Sequence, residues 1–153
     1  MRAVVLGASL LAALPGPVRA APDGPLPQVV QAEIQESRKA CDPGTAELGS
    51  RFAVRKDVNG DGIVDFVLDY TNFTCNGSPI FCGSAGCLAQ VFASLPDGGY
   101  AKVLDENVEE LRFRTGGGRV TMQLLLHGSA CGQTGATPCR QTLYWNGSAF
   151  VRQ

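Results

Sequence analysis

Apolar positions recur along this chain with two periods. From Gln28 to Lys39 the spacing is helical. Val30, Ile34 and Ser37 share a face beside Val29 and Ala40, and Gln31, Glu33, Gln35 and Glu36 lie opposite. Arg38 and Lys39 fall in the last turn, where basic groups suit the helix dipole, and Cys41-Asp42-Pro43-Gly44 ends the element. Roughly three turns are too few to be stable alone, so this helix must pack on something. The pattern beyond it has period two and is punctuated by turns. Phe52 and Val54 alternate with Arg51, Ala53 and Arg55. Val64, Phe66, Leu68 and Tyr70 define one face of the next strand, with Asp65, Val67 and Asp69 on the other. Leu88–Leu95 and Tyr100–Leu104 flank the turn Pro96-Asp97-Gly98-Gly99 as a hairpin. Val108–Arg114 follows with Leu111 and Phe113 inside, and Gly116-Gly117-Gly118 turns into Arg119–His127. Arg140–Trp145 and Ala149–Arg152 are joined by Asn146-Gly147-Ser148, a sequence suited to a tight hairpin turn. The expected fold is mainly β, with about seven or eight short antiparallel strands rich in hairpins. One N-terminal α-helix makes it a small α+β domain.

The first residues read as a targeting segment. Met1 and Arg2 precede the apolar run Ala3–Leu14, Pro15-Gly16-Pro17 breaks it, and Val18-Arg19-Ala20 supplies a cleavage site. We expect a signal peptide over 1–20, cut after Ala20 or, as the close alternative, after Ala21. The rival reading is a buried N-terminal helix. A run of about twelve residues is too short to span a bilayer, and no second candidate follows. Residues 21–27, with Pro22, Pro25 and Pro27, form an extended lead-in to a single β-rich domain at 28–153. The expected location is the periplasm or the exterior.

The whole chain has 153 residues, 44% apolar and 18% charged, which suits one domain. Its 13 basic and 14 acidic residues give no cationic surplus for nucleic acid. Removing Arg2 and Arg19 with the leader leaves a mildly acidic mature chain. Six cysteines in a small exported protein read as three disulfides. Cys82 and Cys87 flank the loop Gly83-Ser84-Ala85-Gly86, and Cys131 and Cys139 bracket Gly132–Pro138. Elimination leaves Cys41 with Cys75. A zinc cluster fits poorly, because no pair has C-x2-C spacing and the one histidine, His127, sits in a strand-like run.

One local motif carries chemistry. Asp57-Val58-Asn59-Gly60-Asp61-Gly62-Ile63-Val64-Asp65 places oxygen-bearing side chains at loop positions 1, 3, 5 and 9. Glycine stands at position 6, where a sharp turn is needed, and Ile63 can offer its carbonyl while its side chain points toward the core. Such hard oxygen donors suit calcium, and Asp57, Asp61 and Asp65 would repel one another without a cation. Position 12 is Leu68, which has no ligating oxygen, and Asp69 lies roughly 13 Å along the strand from Asp65. The flanks alternate as strands. We therefore expect a strand-loop-strand site with Asp57, Asn59, Asp61, Asp65 and the Ile63 carbonyl as ligands for one structural Ca2+ of modest affinity. The alternative is an Asn-Gly, Asp-Gly turn with solvated acids and no metal.

The stretch from Phe52 to Leu68 resembles a single calcium hairpin of the FG-GAP or VCBS type, in which the matching acids and asparagine bind calcium. The likeness covers about twenty residues, and one copy excludes a propeller, whose blades repeat. The remainder resembles small exported proteins of Gram-negative bacteria that share this hairpin, the Cys-Gly-x-x-Gly-Cys loop and a terminal Trp-Asn-Gly-x-x-Phe turn.

Signals for catalysis are thin. His127-Gly128-Ser129 invites a hydrolase reading, but no nucleophile elbow, H-E-x-x-H site or phosphate loop occurs. Asp105, Glu106, Glu109 and Glu110 read as a solvated hairpin connection rather than an acid–base pair. Trp145, Tyr144 and Phe150 could stack on a carbohydrate, though packing the last hairpin onto the sheet is the simpler role. The leading expectation is an exported, calcium-stabilised binding or inhibitory module whose cystine-tied loops meet a macromolecular partner. A small periplasmic hydrolase using His127 and a carboxylate, and a structural envelope component, are the alternatives.

Overall fold

A computed structural model describes residues 24–134 and 137–152. The signal-peptide reading at 1–20, and Ala21 to Asp23 of the lead-in, lie outside the described residues. Helix α1 spans Gln28–Lys39, the bounds its apolar period implied. Its first turn is held by the Gln31 amide donating to the Pro27 carbonyl at 3.0 Å. Val30, Ile34 and Ser37 are buried, whereas Val29 is 39% exposed and Ala40 is also exposed. The buried stripe is thus narrower than the pattern suggested, because the helix meets the sheet along one line of contact.

Eleven strands follow: β1 (Ala46–Leu48), β2 (Ala53–Lys56), β3 (Asp65–Asp69), β4 (Phe73–Cys75), β5 (Cys82–Gly83), β6 (Gly86–Ser94), β7 (Tyr100–Val108), β8 (Glu110–Gly116), β9 (Arg119–Leu126), β10 (Cys139–Trp145) and β11 (Phe150–Val151). All pairings are antiparallel. The first sheet runs β2-β3-β6-β7, with β5 folded back on β6, and the second runs β8-β9-β10-β11. A separate ribbon pairs β1 with β4. The ribbon and β5 are two or three residues each, too short to leave a period in the sequence. The acidic stretch Asp105–Glu106 is not a connection. It lies within β7, opposite Gln90 and Ala89, so the strand continues to Val108 where Leu104 was expected to end it. Charged residues tolerate an edge strand when their side chains reach solvent.

The layers are helix, first sheet, second sheet. Phe66 and Leu68 of β3 face α1 in a cluster with Val30, Ile34, Phe52, Tyr70, Phe73 and Phe92. Val67, between them, faces the second sheet with Val91, Leu104, Met122, Leu124 and Leu143. Strict alternation along β3 therefore feeds two cores at once. At the helix–sheet junction the Tyr70 hydroxyl lies 2.6 Å from Ser37 Oγ and donates to Gln90 Oε1 at 2.8 Å. Gln90 Nε2 in turn donates to Glu33 Oε1, at 2.6 Å.

Between the two sheets the chain crosses once, at Glu109, whose amide donates to the Leu125 carbonyl at 2.8 Å. Gly86 is needed at this corner. Its φ is +94°, and a Cβ there would stand 2.1 Å from the Val108 carbonyl oxygen. The three disulfides are Cys41–Cys75, Cys82–Cys87 and Cys131–Cys139, with no free cysteine among the described residues. The first ties the end of α1 to β4, the second crosses the β5–β6 hairpin, and the third closes the loop before β10.

Candidate metal centre

Strands β2 and β3 meet at Lys56 opposite Asp65 and present residues 57–64 as the loop between them, so both flanks are strands. Val58 anchors the loop by burying its side chain completely in the inter-sheet core. Ile63 does not share that role. It is half-buried and lines a surface cleft rather than the core toward which its side chain was expected to point. Gly60 and Gly62 take φ of +85° and +78°, conformations that let the chain reverse twice within three residues.

The loop acids first organise the loop itself. Asp57 accepts from the Gly60 amide at 2.7 Å and the Gly62 amide at 2.9 Å. Asn59 Oδ1 accepts from the Asp61 amide at 3.0 Å, and Asp61 Oδ1 from the Ile63 amide at 2.7 Å. Asp65 is fully buried, accepting from the Val58 amide at 2.7 Å and from the Ser94 amide at 2.8 Å. Burial pushes the Asp65 carboxyl upward, and the nearby charge of Asp61 adds to that. The Ser94 and Val58 amides and the Ser94 hydroxyl oppose the shift.

Asn59, Asp61 and Asp65 converge on Ser94, which the sequence did not single out. Ser94 Oγ lies 2.7 Å from Asp61 Oδ2 and 2.8 Å from Asp65 Oδ1, and accepts from Asn59 Nδ2 at 3.3 Å. No local spacing marks it, because it arrives on β6, 29 residues from Asp65. Asp57 is not among the hydrogen-bond partners of this group. Leu68, at position 12, is completely buried, and Asp69 caps the next turn by accepting from the Thr71 amide at 3.0 Å.

The acceptor oxygens of Asp61 and Asp65 meet at one hydroxyl. The single Ser94 hydroxyl proton serves two carboxylate oxygens, and each of these also has a nitrogen donor, Asn59 Nδ2 at 3.2 Å for Asp61 Oδ2 and the Ser94 amide at 2.8 Å for Asp65 Oδ1. None of the ion pairs of the described residues involves Asp57, Asp61 or Asp65. The described residues hold no group of three or more His, Cys, Asp or Glu side chains arranged for a metal. In the cluster at Ser94, the Asn59 amide and the Ser94 hydroxyl accompany the Asp61 and Asp65 carboxylates.

Beside the loop is a cleft of about 360 Å³ whose lining includes Asn59, Asp61, Ile63, Ser94, Tyr100 and Trp145, with Tyr100 paired directly with Ser94 across β6 and β7. Phe150 is buried in the inter-sheet core, and the half-buried Trp145 ring packs on it at 5.1 Å between centroids. Packing thus accounts for Phe150 and for part of the Trp145 ring. The aromatic residue sharing the cleft with Trp145 is Tyr100, in place of Tyr144. His127 caps the short turn Gly128–Cys131, with Nδ1 2.8 Å from Ser129 Oγ. No carboxylate is among its hydrogen-bond partners in the described residues.

No helix among the described residues is long and apolar enough to cross a membrane. Comparison with protein-family models, with curated proteins and with solved structures finds no match to this chain.

Proposed function

We propose that this protein is an exported binding or inhibitory module for a macromolecular partner, stabilised by one calcium ion in the loop Asp57–Asp65. The observation that carries the reading is the Asp61–Ser94–Asp65 contact, which brings two loop carboxylates to one hydroxyl with neither of them in an ion pair of the described residues. Asp57, Asn59, Asp61, Asp65 and the Ile63 carbonyl would hold the ion, and Ser94 would orient Asp61 and Asp65. The ion would offset the repulsion among the loop carboxylates and fix the β2–β3 hairpin. Its shell lacks a bidentate carboxylate at position 12, so the dissociation constant should be on the order of 10⁻⁴ to 10⁻³ M. The Cys82–Cys87 bond ties the β5–β6 hairpin and Cys131–Cys139 ties the chain just before β10, the kind of cross-linked element a binding module uses.

Calorimetric titration of the oxidised protein with calcium tests this directly. We expect one-to-one binding, lost in Asp57→Ala and in Asp61→Ala. At about ten times the dissociation constant, calcium should add about 1.4 kcal/mol of stability in the parent alone. Absence of heat and of any thermal shift at millimolar calcium would overturn the reading.

A further inference from the structure

We infer that the free edge of β8 docks an extended peptide, which joins the second sheet as a further strand and alternates acidic with apolar side chains. This deepens the binding-module reading above by naming its partner, and it does not depend on the ion.

Strand β8 ends its sheet and pairs with β9 alone. The two-residue turn Gly117-Gly118 makes Gly116 and Arg119 a hydrogen-bonded pair. Counting back by twos, Arg114, Arg112 and Glu110 turn their amides and carbonyls to β9. The Thr121 hydroxyl accordingly reaches the Arg114 carbonyl, at 3.3 Å. Leu111, Phe113 and Thr115 turn theirs the other way, where no backbone partner meets them among the described residues. A seven-residue strand thus presents a row of open donors and acceptors.

The same edge borders an apolar groove. A cleft of about 300 Å³ lies between β8 and the first sheet, with Val54, Val67, Val108, Leu111 and Phe113 in its walls. Its lining takes nothing from β9, so it opens on the unpaired side of β8. Val54 is left 38% exposed there. Leu111 and Phe113 pack toward the inter-sheet core, while Arg112 and Arg114 are exposed on the other face. An added strand must therefore set apolar residues beside Leu111 and Phe113 and acids beside the arginines. From 110 to 152 the chain has five arginines, no lysine and one acid, Glu110. Glu110 is already paired with Arg112, and Arg114 is in no ion pair of the described residues.

Other occupants fit less well. A second copy pairing β8 with β8 about Phe113 would set Arg112 against Arg114, and like charges directly opposite destabilise a sheet. A continuous polyanion would meet Asp69, Glu109 and Glu110, which line the same cleft. A peptide can carry acids only where the arginines stand.

The probe is a capped hexapeptide of alternating glutamate and valine, with a lysine–valine hexapeptide and a single-stranded oligonucleotide as controls. Each is titrated into the oxidised protein by calorimetry, and amide hydrogen exchange is followed at saturation. We expect binding of the glutamate–valine peptide alone, with slowed exchange at Leu111, Phe113 and Thr115. Thr115→Pro removes an outward amide and leaves the β9 pairing whole, so it should weaken binding about fivefold with little change in melting temperature. Arg114→Ala should weaken it about threefold. No binding, equal binding of either control, or binding that leaves those three amides or Thr115→Pro unaffected would overturn the inference. Dimerisation of the parent through this edge, read by sedimentation and lost in Thr115→Pro, would overturn it too. Calcium heat is measured separately, so its retention without peptide binding removes this inference alone.

Discussion

Tyr70 shows how one side chain can carry a whole junction. It is fully buried, and its hydroxyl is the link between Ser37 of the helix and Gln90 of the first sheet. Burial pushes its ionisation upward and the Glu33 and Asp105 charges add to that, against the Ser37 hydrogen bond and the Lys102 charge. The folded protein thus holds the phenol proton where the unfolded chain would release it near pH 10. The folded state then binds more protons than the unfolded one, so stability should fall as pH rises from about 10 toward the folded value. Urea denaturation at several alkaline pH values should show this slope in the parent and a shallower one in Tyr70→Phe. At neutral pH the same variant should lose roughly 1–3 kcal/mol, because Gln90 Oε1 is left without its donor.

The elements differ in how far the sequence announces them. Helix α1 and the long strands are legible because each exposes one face and buries another, and alternation at Phe66, Val67 and Leu68 survives even where both faces are covered. The short ribbon of β1 and β4 is not, since three residues carry no period and its pairing spans Ala46 to Cys75. The acidic loop between β2 and β3 is readable from Asp57, Asn59, Asp61 and Asp65, but Ser94 belongs to another strand and only tertiary pairing delivers it. The disulfides follow a similar rule, with the two local pairs evident from spacing and the Cys41–Cys75 bond evident only once the others are assigned. That bond closes the longest loop, a separation of 34 residues against 5 for Cys82–Cys87. Replacing both cysteines of the long pair by serine should therefore cost about 4 kcal/mol, and of the short pair about 2, by loop-closure entropy. Urea unfolding of the two double variants measures the difference. Equal losses would mean that strain or packing, rather than loop length, sets the contribution.

At the scale of the molecule, two halves share one seam. The helix and first sheet are built from residues up to Val108, the second sheet from Glu110 onward, and no disulfide joins them. The seam is held by the inter-sheet core and the single crossing at Glu109. Hydrogen exchange should accordingly show two tiers, with the amides of β3 and β6 protected longer than those of β10 and β11. Uniform protection across both sheets would mean that the core couples them into one unit. The cleft straddles this seam, taking Asp61 and Tyr100 from one half and Trp145 from the other. The same arrangement governs how the molecule would respond to a pull on its ends. Stretching would peel the two-residue strand β11 away first, and then unravel the second sheet toward Glu109. Residues 42–74, enclosed by the Cys41–Cys75 bridge, would add no length, so the helix-bearing half would stay short under a load that had already drawn out its neighbour.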